Sequence, residues 1–91
     1  MKTFKLTISS PDGNIFEGEI YKLDVRGVMG ELAIMAGHVP FVTTLAAGKC
    51  CVLLEDGSEK TGMLSGGVLT VDSEKTTLIA GSFSFDDSAV D

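Results

Sequence analysis

Gly30-Glu31-Leu32-Ala33-Ile34-Met35-Ala36-Gly37-His38-Val39-Pro40-Phe41-Val42-Thr43-Thr44-Leu45 is the stretch around which the rest of the chain is organised. It opens at a glycine turn, runs through a short apolar segment at Leu32 to Ile34 and turns again at Ala36-Gly37. The only histidine of the protein, His38, follows, and Val39-Pro40 leads into a β-rich run from Phe41 to Leu45. Gly37 can adopt positive φ without strain, while Pro40 fixes its own φ and pushes Val39 towards extended geometry. The pattern describes a shaped loop that hands over to a strand. Neither here nor elsewhere do apolar residues recur at three-and-four spacing for long enough to make a helix.

Working outward, Phe4, Leu6 and Ile8 alternate with Lys5, Thr7 and Ser9, the period of a half-buried strand. Pro11-Asp12-Gly13-Asn14 supplies turn chemistry, and Ile15 to Glu19 reads as a second short strand interrupted at Gly18. From Ile20, Tyr21, Leu23 and Val25 fall on one side and Lys22, Asp24 and Arg26 on the other, until Gly27-Val28-Met29-Gly30 opens the central loop. Beyond Leu45, the Cys-Cys-Val-Leu-Leu run within Lys49 to Glu55 predicts a strand covered on both faces. Asp56-Gly57 is a hairpin signal returning through Glu59 to Leu64. Gly66-Gly67 breaks that strand, and Val68 to Val71 and Thr76 to Ala80 read as two more. About eight to ten short strands predict an all-β fold, an antiparallel β-sandwich or flattened barrel, over residues 1–81. Residues 82–91, with Asp86, Asp87 and Asp91 and little to bury, are expected to form an acidic, disordered tail.

At 91 residues the chain has room for one domain, and 44% apolar residues mark it as folded. The net charge of −6, with Lys and Arg scattered singly, excludes a nucleic-acid surface and an anionic-membrane surface. No apolar run approaches the ~18 residues of a membrane span, and the amino terminus lacks the apolar core of a signal peptide. Cys50 and Cys51 are adjacent; neighbouring α-carbons stand about 3.8 Å apart, below the ~4.4 Å lower limit for a disulfide. The two read as reduced strand residues, and no second cysteine pair or further histidine completes a metal site. No cofactor is expected. No catalytic constellation is visible either: His38 has no neighbouring cysteine or orienting carboxylate, Ser65-Gly66-Gly67 lacks the pattern of a nucleophile elbow, and no phosphate loop is present. Residue types alone therefore favour a binding module over an enzyme.

Several motifs in register carry a family resemblance. Ser10-Pro11-Asp12-Gly13 with Phe16-x-Gly18-Glu19, Gly30-Glu31-Leu32-x-Ile34, Gly37-His38-x-Pro40, Leu64-Ser65-Gly66-Gly67-x-Leu69-x-Val71 and Thr77-Leu78-Ile79-Ala80 resemble the epsilon subunits of F-type ATP synthases, over about residues 4–80. The resemblance implies a non-catalytic central-stalk subunit at the cytoplasmic face of an energy-transducing membrane. Such a subunit links the gamma subunit to the membrane rotor ring, so that ion flow drives ATP synthesis. It places Met29, Gly30 and Glu31 at the rotor ring and His38, Pro40, Thr43 and Ser65 against gamma, with Gly37, Gly66 and Gly67 shaping the loops. Arg26, Ala33, Met35-Ala36 and Ala80-Gly81 depart from the family's usual residues. With only Gly81 to Asp91 after the last expected strand, the family's carboxy-terminal helical hairpin has no counterpart in this sequence, and no ATP binding by this chain is expected. Two other readings stay open: a stand-alone adaptor that binds another protein through Gly30 to Leu45, and a small β-barrel enzyme using His38 as acid or base.

Overall fold

Phe4, Leu6 and Ile8 point to one side of strand β1 (Phe4–Ser10) and are sealed from solvent, while Lys5 stays outside. This is the period of two that the sequence predicts, seen in the computed structural model, which describes residues 2–37 and 39–85. Among these residues every regular element is a strand: β2 (Gly13–Gly27), β3 (Gly30–Met35), β4 (Phe41–Leu45), β5 (Gly48–Leu54), β6 (Glu59–Leu64), β7 (Gly67–Val71), β8 (Lys75–Ala80) and β9 (Phe83–Phe85).

Strand β2 organises the architecture. The sequence suggests two strands, broken near Gly18, yet the chain continues as one strand of 15 residues. Its first half pairs with β1, and Gly18, opposite Leu6, leaves space that the Phe16 ring approaches. Its second half lies between β3 and β5, and Gly27 reaches Leu45 of β4. At about 3.3 Å per residue a straight strand of this length would run to roughly 50 Å, more than the 35 Å longest dimension of the molecule. It therefore bends from one layer into the other. The register slips between Ile20 and Lys22. That bulge is why Ile20 and Leu23, three positions apart, both face the core.

Two layers result. One holds the first half of β2, then β1, β8, β7 and β4; it meets the other layer where Leu45 pairs with Gly27, the last residue of β2. The other holds β3, the second half of β2, β5, β6 and β9. The pairings among the described residues are antiparallel except one: β1 and β8 run parallel, Leu6 opposite Thr76 and Ile8 opposite Leu78. The core between the layers is built from inward positions of both, including Leu6, Ile8, Ile20, Leu23, Val25, Ile34, Val52, Leu69 and Leu78. Each such side chain contributes about 1.5–3 kcal/mol of transfer free energy. Thr76 is a buried polar residue among them, and no buried side-chain N or O atom of the described residues lacks a hydrogen-bond partner.

Two further expectations change. Strand β5 is fully covered on one face only: Cys50 and Val52 are buried, whereas Cys51 and Leu53 are half-buried on the outer face. The segment read as a tail supplies β9, which pairs with β6 through Gly62–Phe85 and Leu64–Phe83; residues 86–91 lie outside the described residues. Phe83 lies against Gly62, where a Cβ would stand 2.8 Å from its ring. The Phe85 ring packs edge-on to Phe83 and Phe16 beneath the Lys60 ammonium. Those aromatic contacts fix β9 to the sheet.

Candidate functional site

The central stretch is less of a loop than its sequence suggests. Gly27 and Gly30 face each other across β2 and β3, and Val28-Met29 alone makes the turn. Gly30 takes φ +133°, and a Cβ on Gly27 would meet the Gly30 carbonyl oxygen at 3.2 Å and the Leu32 side chain at 3.1 Å. Two glycines thus allow a tight tip from which Met29 projects with 93% of its surface exposed. Glu31 is not at this tip; it is the second residue of β3, exposed, directly opposite Arg26. Arg26 Nε and Nη2 both donate to Glu31 Oε2, at 3.4 Å. An exposed pair of this kind contributes about 0–1 kcal/mol to the fold. The tip is tied to the rest by backbone bonds from Val28 N–H to the Thr44 carbonyl and from Ala46 N–H to the Arg26 carbonyl.

The residues assigned to the other partner do not form one cluster. His38 lies outside the described residues. Gly37 turns with φ +85°, and Pro40 is exposed just before β4. Ser65 stands at the opposite end of β4 and β7, because Leu45 pairs with Gly67 there. Its hydroxyl accepts a bond from Ser82 N–H at 3.0 Å, and its N–H donates to the Ser82 carbonyl at 3.1 Å. Thr43 has the parity of Leu45 and pairs with buried Leu69, so it faces inward and is half-buried. Gly66 takes φ +119°, whereas Gly67 is a strand residue pressed against β8.

Between Pro40 and Ser65 lies a surface that sequence reasoning missed. The outward residues of β4 and β7 are Val42, Thr44, Val68 and Thr70, and β8 adds Thr77 and Ile79; the charge among these outward positions is Lys75, at the start of β8. Val42 is 67% exposed, Val68 41% and Ile79 53%, and Val68 is paired directly with Ile79. The signal was available: Val42-x-Thr44, Val68-x-Thr70 and Thr77-x-Ile79 put uncharged residues side by side on the outward positions beyond Lys75. The opposite layer differs, with Lys22, Asp24, Arg26, Glu31 and Lys49 on its outer surface. No group of three or more His, Cys, Asp or Glu among the described residues is placed to hold a metal. The Cys50 thiol is pushed up to about 12, chiefly by burial, and that of Cys51 is raised by burial and by Glu59 and Asp24. Neither thiol is set up as a nucleophile.

Residues 3–85 match the family described as the ATP synthase, delta/epsilon chain, β-sandwich domain. The chain belongs to that family. A 78-residue stretch, 86% of the chain, is 37% identical to the sodium-ion-specific ATP synthase epsilon chain of Acetobacterium woodii, of which it covers 59%. In structure, 91% of the chain superposes on 53% of a chain in the OSCP, F1 and c-ring assembly of the Euglena gracilis mitochondrial ATP synthase. The TM-score is 0.86 at 25% identity. A chain from the central stalk and c-ring of the Tetrahymena thermophila enzyme shares the fold, with a TM-score of 0.74 at 13% identity over 91% of this chain and 66% of that one. The chain thus spans between half and two thirds of the length of these relatives. The β-sandwich of the delta/epsilon family is what the strands β1 to β9 build.

Proposed function

We propose that this chain is the β-sandwich of an epsilon-type subunit in a rotary ATP synthase. It would make no bond changes of its own, and would join the gamma subunit to the membrane rotor ring so that ion flow is coupled to ATP synthesis. The match of residues 3–85 to the delta/epsilon family carries this reading. The likeness to a chain from an assembly containing F1 and a c-ring supports it.

In this reading Met29, Gly30 and Glu31 meet the polar loops of the rotor ring. His38, Pro40, Thr43 and Ser65 lie on the gamma-facing side. The face of Val42, Val68 and Ile79 spans the distance between Pro40 and Ser65 and supplies the apolar area that those residues lack. Since Thr43 points inward, its contribution is to hold β4 in place for Val42 and Thr44. The subunit would sit peripherally at the cytoplasmic face of the membrane. A sandwich with one strand shared by both layers suits a joint that transmits rotation, because a compliant joint would store the turn as strain.

The test is association. The chain, added to ATP synthase complexes stripped of their own epsilon subunit, should bind and restore ion-driven ATP synthesis. Binding should depend on both gamma and the ring. A chain that stays monomeric in the presence of both would refute the proposal.

A further inference from the structure

Arg26 lies on the outer side of β2, directly opposite Glu31 of β3, and the structure gives it a place of its own. Its stem lies over Gly48 of β5: a Cβ on Gly48 would stand 3.6 Å from Arg26 Cδ. That bed carries the guanidinium across to Glu31, where two of its N–H groups meet a single carboxylate oxygen. A guanidinium has five donors and a carboxylate about four acceptor sites, so both groups keep capacity for a further partner.

Two concavities flank this pair. One, of about 420 Å³, is lined by Asp24, Arg26, Glu31 and Lys49, alternating in sign, together with Gly48 and Cys51. The other, of about 310 Å³, lies between the pair, Val28 and Ala46. Only Arg26 and Glu31 line both. They form a ridge with a hollow on each side, beside the projecting Met29. A loop laid over such a ridge drops side chains into the hollows and presents its middle to the ion pair.

We propose that Arg26 and Glu31 act together as an oriented ion pair that selects the loop docking at this tip, with Arg26 a specificity-determining contact in its own right. The loop that fits places an acceptor, a carboxylate or a backbone carbonyl, over Arg26 and a donor or cation over Glu31. The inference rests on reading the tip as the ring-facing end of the molecule. A lone Glu31 would accept any cation; a fixed pair has no net charge and rewards only one order of charges, because the reverse order brings like charges together. The Gly48 bed reduces the side-chain freedom that Arg26 loses on docking. The exposed pair adds little to the fold, so its orientation can be altered without unfolding the sandwich.

The decisive variant is the swap Arg26→Glu with Glu31→Arg, which restores a pair across the same two positions in the opposite sense. With the full chain and purified rotor ring, the swap should keep the parent's melting temperature and weaken association by about tenfold or more. Arg26→Gln should weaken it less and flatten its salt dependence between about 0.05 M and 0.3 M. Arg26→Lys, which keeps the charge and loses the fork, should fall between Arg26→Gln and the parent. A swap that binds as the parent does would overturn the proposal, leaving the pair as a clasp for the hairpin. Met29→Asp separates the two levels of inference. If it releases the ring while the swap does not, only the role of the pair fails. If Met29→Asp and the swap both bind undiminished, the tip does not face the ring, and the placement on which the inference rests is wrong.

Discussion

Gly67 and Ile79 approach so closely that a Cβ built on Gly67 would stand 2.1 Å from the Ile79 carbonyl oxygen. It would also lie 2.9 Å from the Ala80 α-carbon. Nothing in this environment is a flexible side-chain end; both obstacles are backbone of β8. The Gly66-Gly67 pair therefore combines two requirements. Gly66 takes a positive φ, and Gly67 lets β7 and β8 pair at the distance that seals Leu69 and Leu78 into the core.

Gly67→Ala should destabilise the sandwich by about 3 kcal/mol or more, above the ~1–3 kcal/mol of ordinary overpacking. Gly37→Ala, with φ +85° but open space around it, should cost about 1–2 kcal/mol. Urea titrations of the two variants check the ranking. Equal losses, or a larger loss at position 37, would contradict the close approach.

Ser65→Ala removes the hydroxyl that accepts from Ser82 N–H. The site is exposed, so water replaces part of the bond, and a loss of about 0.5–1 kcal/mol follows. For a chain of this size that is a fall of about 2–8 °C in melting temperature. Ser65→Thr, which keeps the hydroxyl, should stay near the parent in a thermal scan.

Val68→Lys places a charge in the middle of the uncharged face while leaving the core untouched. Surface changes of this kind usually move stability by no more than about 0.5 kcal/mol. Affinity for gamma should fall at least tenfold, about 1.4 kcal/mol. Titration calorimetry against gamma, paired with a melt of the free variant, reads both. Unchanged affinity would remove this face from the interface.

The Cys50 thiol, normally near 9.0, is pushed up to about 12 by burial first and then by Cys51 and Asp24. Below pH 9 the folded and unfolded chains both keep the proton, and the stabilisation is fully present. As pH rises from 9 towards 12 the unfolded chain releases its proton while the folded one does not, so stability falls. The ceiling is about 4 kcal/mol for a shift of this size, at 1.36 kcal/mol per unit. Cys50→Ala should show a shallower decline than the parent in denaturant midpoints measured from pH 8 to 11. In the native state iodoacetamide should leave Cys50 unmodified at pH 8, and a rapid reaction there would argue against its burial.

Where the sequence was informative, the signal was parity within one strand. Phe4, Leu6 and Ile8 announce β1 by alternation, and the Asp56-Gly57 turn announces β6 from Glu59 to Leu64, because neither signal needs knowledge of distant partners. The same parity, carried through, makes Thr43 an inward residue from Leu45 alone. What escaped depends on partners distant in the chain. β2 continues through Gly18 because Leu6 and Val52 hold its two halves, and no local residue announces either. The parallel pairing of β1 with β8 joins segments about seventy residues apart. Phe83–Phe85 becomes a strand only because Gly62 leaves room for a ring. At the candidate site, Gly27 to Gly30 is legible as a turn, but Glu31, expected on the loop tip, is the second residue of β3, and only the register sets Arg26 opposite it.

Strand β2 is hydrogen-bonded along its length, first to β1 and then to β3 and β5, and it ends at the Met29 turn. A pull on that turn along the strand loads those ladder bonds side by side, in shear, instead of opening them one after another as in unzipping. The threshold for rupture is then set by many bonds acting at once. A force applied at Met29 is shared by both layers before any single strand can peel away.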